Sequence, residues 1–198
     1  MSVKLYIEGG GDGPLFDTLF RQGWRQFFEA AGLVGRMPGV VRGQGRTQTL
    51  ELFTTAVAHP RGGVLPLLLV DSEDQVQADH SVWQHLKARD GWERPPGAAD
   101  SQAFLMVQVM ETWFLADRDL LRNYFGGSLR ENHLRQWPNL EAVPKLTVFD
   151  ALEKATAGCQ RHYAKGKVSY ELLGKLRPDR VEADCPHGKE LLDRLRNM

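Results

Sequence analysis

Three apolar runs, each ending in carboxylates, constrain this chain more than any other feature. Val3-Lys4-Leu5-Tyr6-Ile7 leads into Glu8, with Asp12 four residues on. Val64-Leu65-Pro66-Leu67-Leu68-Leu69-Val70 leads into Asp71-Ser72-Glu73-Asp74, and the run from Ala103 to Val109 leads into Met110-Glu111. Runs this short and apolar predict buried strands. Between the first two lies a helical pattern. Leu15, Phe16, Leu19, Phe20, Trp24, Phe27, Phe28 and Ala31 keep helical spacing behind Gly13-Pro14, and Gly32 is a stop. Repeated βα units imply right-handed crossovers and a mostly parallel sheet with helices on both faces. Ligands of such sheets bind outside the carboxyl ends of the strands. If the three strands are neighbours, their carboxylates converge there. Clustered carboxylates repel one another unless a cation joins them, so the arrangement predicts a divalent metal site.

The rest of the chain fits the same plan. A short strand is expected at about 37–41, followed by the loop Arg42-Gly43-Gln44-Gly45-Arg46 and a helix capped by Thr47 or Thr49. After the run at 64–70 comes a helix with Val76, Val82, Trp83 and Leu86, for which Ser72 and Gln75 offer a capping box. Asp90 to Asp100 is a loop around Pro95-Pro96-Gly97, and a helix runs from Glu111 to about Tyr124. Beyond Gly126-Gly127 the chain turns α-rich, with helical candidates at 147–157, 168–176 and 187–197 and with Pro178 and Pro186 between the last two. The expected fold is a Rossmann-like α/β core over residues 1–125, with an α-rich C-terminal extension over 126–198 packed on it.

Lys plus Arg and Asp plus Glu both number 25 among 198 residues, so a generally basic nucleic-acid binder has no support, although a local basic patch suffices. Cys159 and Cys185 fit no metal-ligand spacing and are expected to be reduced thiols. The N-terminus has no signal-peptide pattern, and no apolar run is long enough to span a bilayer. The expectation is a soluble, cytoplasmic protein.

The candidate site residues follow from the strand ends. Glu8 opens Glu8-Gly9-Gly10-Gly11-Asp12-Gly13, where three glycines let the backbone bend sharply and a ligand approach closely. This is neither a dinucleotide fingerprint, because Pro14 stands at the third glycine, nor a Walker loop, because no Gly-Lys-Ser/Thr follows. In an extended segment Asp71 and Glu73 point to the same side and can reach one metal cluster. Glu111 begins a helix directly after a strand; Asp117, six residues on, faces differently and is expected to pair with Arg118 or Arg122, or to line the outer shell. Arg42 and Arg46 offer guanidinium forks to an anion such as phosphate. A lysine in His162-Tyr163-Ala164-Lys165-Gly166-Lys167 can contact phosphate or offset developing negative charge.

Ile7-Glu8-Gly9-Gly10-Gly11-Asp12, Leu68 to Asp74 and Met110 to Asp117, together with Gly35-Arg36-Met37-Pro38, Trp83 to Lys87 and the Tyr163–Lys165 segment, resemble a bacterial family known as domain of unknown function 4276. That family is similar to the Toprim fold of topoisomerases, primases and overcoming-lysogenization-defect nucleases. The Toprim pattern places a glutamate after the first strand and Asp-x-Asp after a later one. Glu8 and Asp71 match it, and Glu73 stands in place of the second aspartate. The resemblance implies that Asp12 fills the second acid of the nucleases, with Glu111 as a further acid and Lys165 or Lys167 as the catalytic lysine. The fused ATPase of those nucleases is missing here, which implies a separately encoded ATPase partner.

The expected activity is therefore phosphodiester hydrolysis of DNA or RNA with Mg²⁺ or Mn²⁺, in an anti-phage or mobile-element defence system. Two ions would be held by Glu8, Asp12, Asp71, Glu73 and Glu111, with Glu8 as ligand or general base. Two rivals stand beside it: a non-enzymatic adaptor or sensor of a defence ATPase, and a protein that binds or hydrolyses a small nucleotide. A homodimer is compatible with any of them.

Overall fold

A computed structural model describes residues 2–11 and 13–198; Asp12 lies outside the described residues. Among the described residues four strands, β1 (Ser2–Gly9), β2 (Gly39–Gln44), β3 (Val64–Asp71) and β4 (Ala103–Met106), form one sheet in the order β2-β1-β3-β4. Every pairing is parallel: Ile7 sits opposite Arg42 on one side and Leu69 on the other, and Asp71 opposite Met106. The helices are α1 (Pro14–Ala30), α2 (Arg46–Ala58), α3 (Val82–Asp90), α4 (Thr112–Ala116), α5 (Arg118–Phe125), α6 (Lys145–Thr156), α7 (Lys167–Leu173), α8 (Pro178–Asp184) and α9 (Pro186–Arg196). The expected Rossmann-like α/β class is what the chain adopts.

The strands are apolar at successive positions because both faces of the sheet are covered. Leu5, Ile7, Leu67, Leu69, Phe104 and Met106 point to one side, where they join α1 and the C-terminal helices in a single core that includes Leu173, Val181, Leu191 and Leu195. Tyr6, Leu68, Val70, Ala103 and Leu105 point to the other, against Phe53 of α2 and Trp83 and Leu86 of α3. The larger core is aromatic. Trp24 stacks on Phe28 with ring centres 5.4 Å apart, and Phe27 on Trp113 at 5.5 Å. Each such side chain contributes about 1.5–3 kcal/mol by leaving water. Gly23 lets α1 approach α7, since a Cβ there would lie 2.7 Å from the Tyr170 carbonyl oxygen.

Several boundaries differ from expectation. β2 runs on to Gln44, because Gly43 and Gln44 pair with Glu8 and Gly9, so Arg42 is a strand residue rather than a loop residue. Gly45, at φ 92°, caps α2 instead of a threonine. The Thr49 hydroxyl donates back to the Gly45 carbonyl at 2.7 Å. Ser72 caps no helix: its hydroxyl donates to the Asp74 carbonyl, and Ser81 with Gln84 forms the capping box that starts α3. The helix expected from Glu111 to Tyr124 breaks at Asp117, whose carboxylate caps α5. Pro178 is not a separator but the first residue of a further helix, where its missing N–H costs nothing. Among the described residues no helix is long and apolar enough to cross a membrane.

Candidate functional site

Parallel pairing of β1 with β3 sets their C-terminal ends side by side, and Glu8 and Asp71 arrive there together. The Asp71 amide donates to Glu8 Oε2 at 3.3 Å, and Asp71 Oδ1 accepts from the Met110 amide at 2.9 Å. Glu73 joins them through an unusual backbone. At φ 67° it is the one non-glycine residue at positive φ among those described, and its amide is pinned to the Gln108 carbonyl at 2.7 Å. Such a conformation costs about 1 kcal/mol or more and persists where surroundings enforce it. Glu8, Asp71 and Glu73 each offer a carboxylate oxygen, and the three lie within 4.8 Å of one another.

Burial pushes the Glu8 carboxyl up; Arg46 opposes this and Glu73 adds to it. Asp71 is held well above the usual carboxylate range by burial first, then by Glu8 and Glu111, with Lys165 and the Met110 amide as weaker counterweights. Three hard oxygen donors that repel one another in a partly buried corner are a donor set that could hold a metal cation.

Glu111 stands apart from this triad. It is almost fully buried, and Oε1 accepts from the Tyr163 hydroxyl at 2.9 Å and from the Ser169 hydroxyl at 3.0 Å. Burial and the neighbouring Glu111 carboxylate drive the Tyr163 hydroxyl far up, so it stays a donor. Glu111 nevertheless lines a cavity of about 110 Å³ together with Glu8, Asp71, Gly9, Gly10 and Lys165.

A family model with the description Domain of unknown function (DUF4276) matches residues 7–196. The chain belongs to that family. The match takes in the whole carboxylate cluster, Glu111 and Lys165. No curated protein and no solved structure matches the chain.

In this family member the expected residues divide. Glu8, Asp71 and Glu73 come together, Glu111 and Lys165 line the cavity of Glu8 and Asp71, and Asp12 lies outside the described residues. Lys167 begins α7 and faces Glu171 at 3.7 Å rather than the cavity. Arg42 is a strut: its guanidinium holds the Gly10 and Gly11 carbonyls, the latter at 2.9 Å, and pairs with Asp17 at 3.0 Å. Arg46 does reach the site, but as a partner of the acids. It donates to Glu8 Oε2 at 3.2 Å and to the Asp71 carbonyl, pairs with Asp90, and lies over the Trp92 ring. Asp117 pairs with Arg177, sixty residues away in the chain, and not with Arg118 or Arg122.

Sequence reasoning missed four contributors. Lys145 and Arg89 hold Glu73. Asp90 bridges Arg46 and Arg89. Ser169 orients Glu111. Lys145 follows Pro144 at the start of a helix with no motif around it, so nothing in the sequence pointed to it.

Proposed function

We propose that the chain is a Toprim-type, Mg²⁺- or Mn²⁺-dependent phosphodiesterase of DNA or RNA, related to the overcoming-lysogenization-defect nucleases. Its proposed setting is a cytoplasmic anti-phage or mobile-element defence system with a separately encoded ATPase. The observation that carries this reading is the convergence of Glu8, Asp71 and Glu73 within 4.8 Å at adjacent parallel strand ends. Their spacing in the chain matches the Toprim pattern.

Glu8, Asp71 and Glu73 would hold the cation, which supplies Lewis-acid chemistry to a bound phosphate. Glu111, with Asp12, is assigned to a second ion. The chain's own groups do the remainder. Arg46 favours the charged form of Glu8 against burial. The Glu8-Gly9-Gly10 corner, buttressed by Arg42 and by the Tyr170 hydroxyl donating to the Gly10 carbonyl at 3.2 Å, leaves room for a phosphate to come close. Lys165, exposed on the cavity wall, offsets negative charge that grows on the phosphoryl group. Glu111, its Oε1 fixed by two hydroxyls, would be held in place for that second ion, and Glu8 would act as ligand or general base.

One observation favours a second reading, a non-enzymatic adaptor of a defence ATPase. Glu8 and Glu73 are already countered by Arg46, Lys145 and Arg89 within the chain.

The test is cleavage of a panel of single- and double-stranded DNA and RNA, tRNA included, with Mn²⁺ or Mg²⁺. Wild type should cut at least one substrate, and Asp71→Asn should lose at least about a hundredfold of that rate. Equal cleavage by both proteins would refute the site, and silence from both, alone and with the ATPase, would favour the adaptor.

A further inference from the structure

The carboxylate cluster has two basic flanks, and only one belongs to the cavity. Lys165 stands on the cavity side, with no ion pair among the described residues. On the other side Lys145 Nζ binds Glu73 Oε2, and Arg89 Nη2 approaches the same oxygen at 3.6 Å. These two side chains are 36% and 28% exposed while Glu73 is 12% exposed, so the cations are more open to solvent than the acid they hold. Lys145 is anchored without its ammonium, because its backbone amide donates to Gln108 Oε1 at 3.0 Å. Arg89 also donates to Asp74 Oδ2 at 3.2 Å and contacts Asp90, which in turn holds Arg46 against Glu8. Two of the three converging carboxylates are thus tied into one alternating ladder of charge, from Glu8 through Arg46, Asp90, Arg89 and Glu73 to Lys145.

We propose that Lys145 and Arg89 form a subsite for the substrate's phosphate backbone, and that Glu73 couples this subsite to the metal. The inference rests on the metal-dependent reading above. A divalent cation on Glu73 would neutralise the charge that holds Lys145, and the partly exposed ammonium would be left free for an anion. Cation and polyanion then bind cooperatively, and linkage makes the effect mutual. An anionic strand would lie across the cluster, gripped by Lys165 on one side and by Lys145 and Arg89 on the other. A merely structural Lys145–Glu73 pair has the opposite signature, since loosening Glu73 should weaken the metal site.

The experiment uses the full chain and two probes: Mn²⁺ alone, by calorimetry, and a fluorescein-labelled phosphorothioate oligonucleotide with and without Mn²⁺, by anisotropy. Lys145→Gln should bind Mn²⁺ about two- to fivefold more tightly than wild type, the scale of a partly exposed ion pair. Its Mn²⁺-dependent gain in oligonucleotide affinity should shrink by a similar factor. Arg89→Gln should move both readings the same way by less. Equal or weaker Mn²⁺ binding by Lys145→Gln, or an unchanged gain, overturns the proposal and leaves the metal site intact. A wild type that takes up no Mn²⁺ overturns the metal reading itself and this inference with it.

Discussion

Asp71 and Asp117 are both buried aspartates at the end of a secondary-structure element, and their surroundings treat them in opposite ways. Burial pushes Asp117 up, but the Arg177 guanidinium, the Leu120 amide and the Arg177 amide outweigh it and hold the carboxyl below its ordinary value. Four hydrogen bonds reach its two oxygens, among them Arg177 Nε at 2.9 Å and the Leu120 amide at 3.1 Å. Asp71 has one donor to its carboxylate, the Met110 amide, and two acids for neighbours. Burial alone therefore does not separate a structural acid from a functional one. The donors do: Asp117 is complete within the chain, whereas the Asp71 carboxylate has a single donor, and the proposed cation would supply what is missing.

The largest effect that tests this contrast belongs to Asp117→Ala. It removes the cap of α5 and leaves Arg177 without its main partner, at an expected cost of about 2–4 kcal/mol in urea denaturation. Asp71→Asn should do the reverse. In chelator-treated protein it relieves repulsion and should stabilise by about 1–2 kcal/mol, and a loss of similar size would erase the distinction between the two sites.

The pH dependence has opposite signs as well. The folded values of Asp71 and Glu8 are raised, so their contribution to stability is full below the ordinary 3.8 and 4.5 and is lost as pH rises through the folded values. The folded value of Asp117 is lowered, so its contribution is present above 3.8 and is lost as pH falls through the folded value. The advantage of Asp71→Asn over wild type should grow as pH rises from 4, whereas the penalty of Asp117→Asn should shrink below 4. A smaller effect of the same kind concerns Glu141, whose carboxylate accepts from the His187 amide and meets the His187 ring at 2.7 Å. That contact raises His187 above 6.5, against burial, so its contribution is full below 6.5 and is lost as pH rises through the folded value. His187→Gln should cost about 0.5 kcal/mol near pH 6 and less near pH 8.

The sheet was legible in the sequence because both of its faces are buried. Leu67 to Val70 must be apolar at every position, and the run announces a strand without any long-range information. The acids were legible for a related reason: charge directly after such a run has nowhere to sit but the strand end. What escaped depends on partners distant in the chain. Asp117 finds Arg177 and Glu73 finds Lys145, and neither pairing leaves a local periodicity. Glu73 at positive φ was invisible because no glycine or asparagine marks the bend. The start of α3 was misplaced because Ser72-x-x-Gln75 and Ser81-x-x-Gln84 have the same spacing, and only packing of Trp83 and Leu86 against the sheet decides between them.

The most direct test of the central claim, that Glu8, Asp71 and Glu73 form a divalent cation site, is thermal unfolding of wild type and Asp71→Asn across a Mn²⁺ titration. The wild-type midpoint should rise with Mn²⁺, by about 5–10 °C at a hundredfold excess over the dissociation constant. Asp71→Asn should start higher in chelator and respond far less. Equal rises in both proteins, or a wild type whose midpoint ignores Mn²⁺, would contradict the claim.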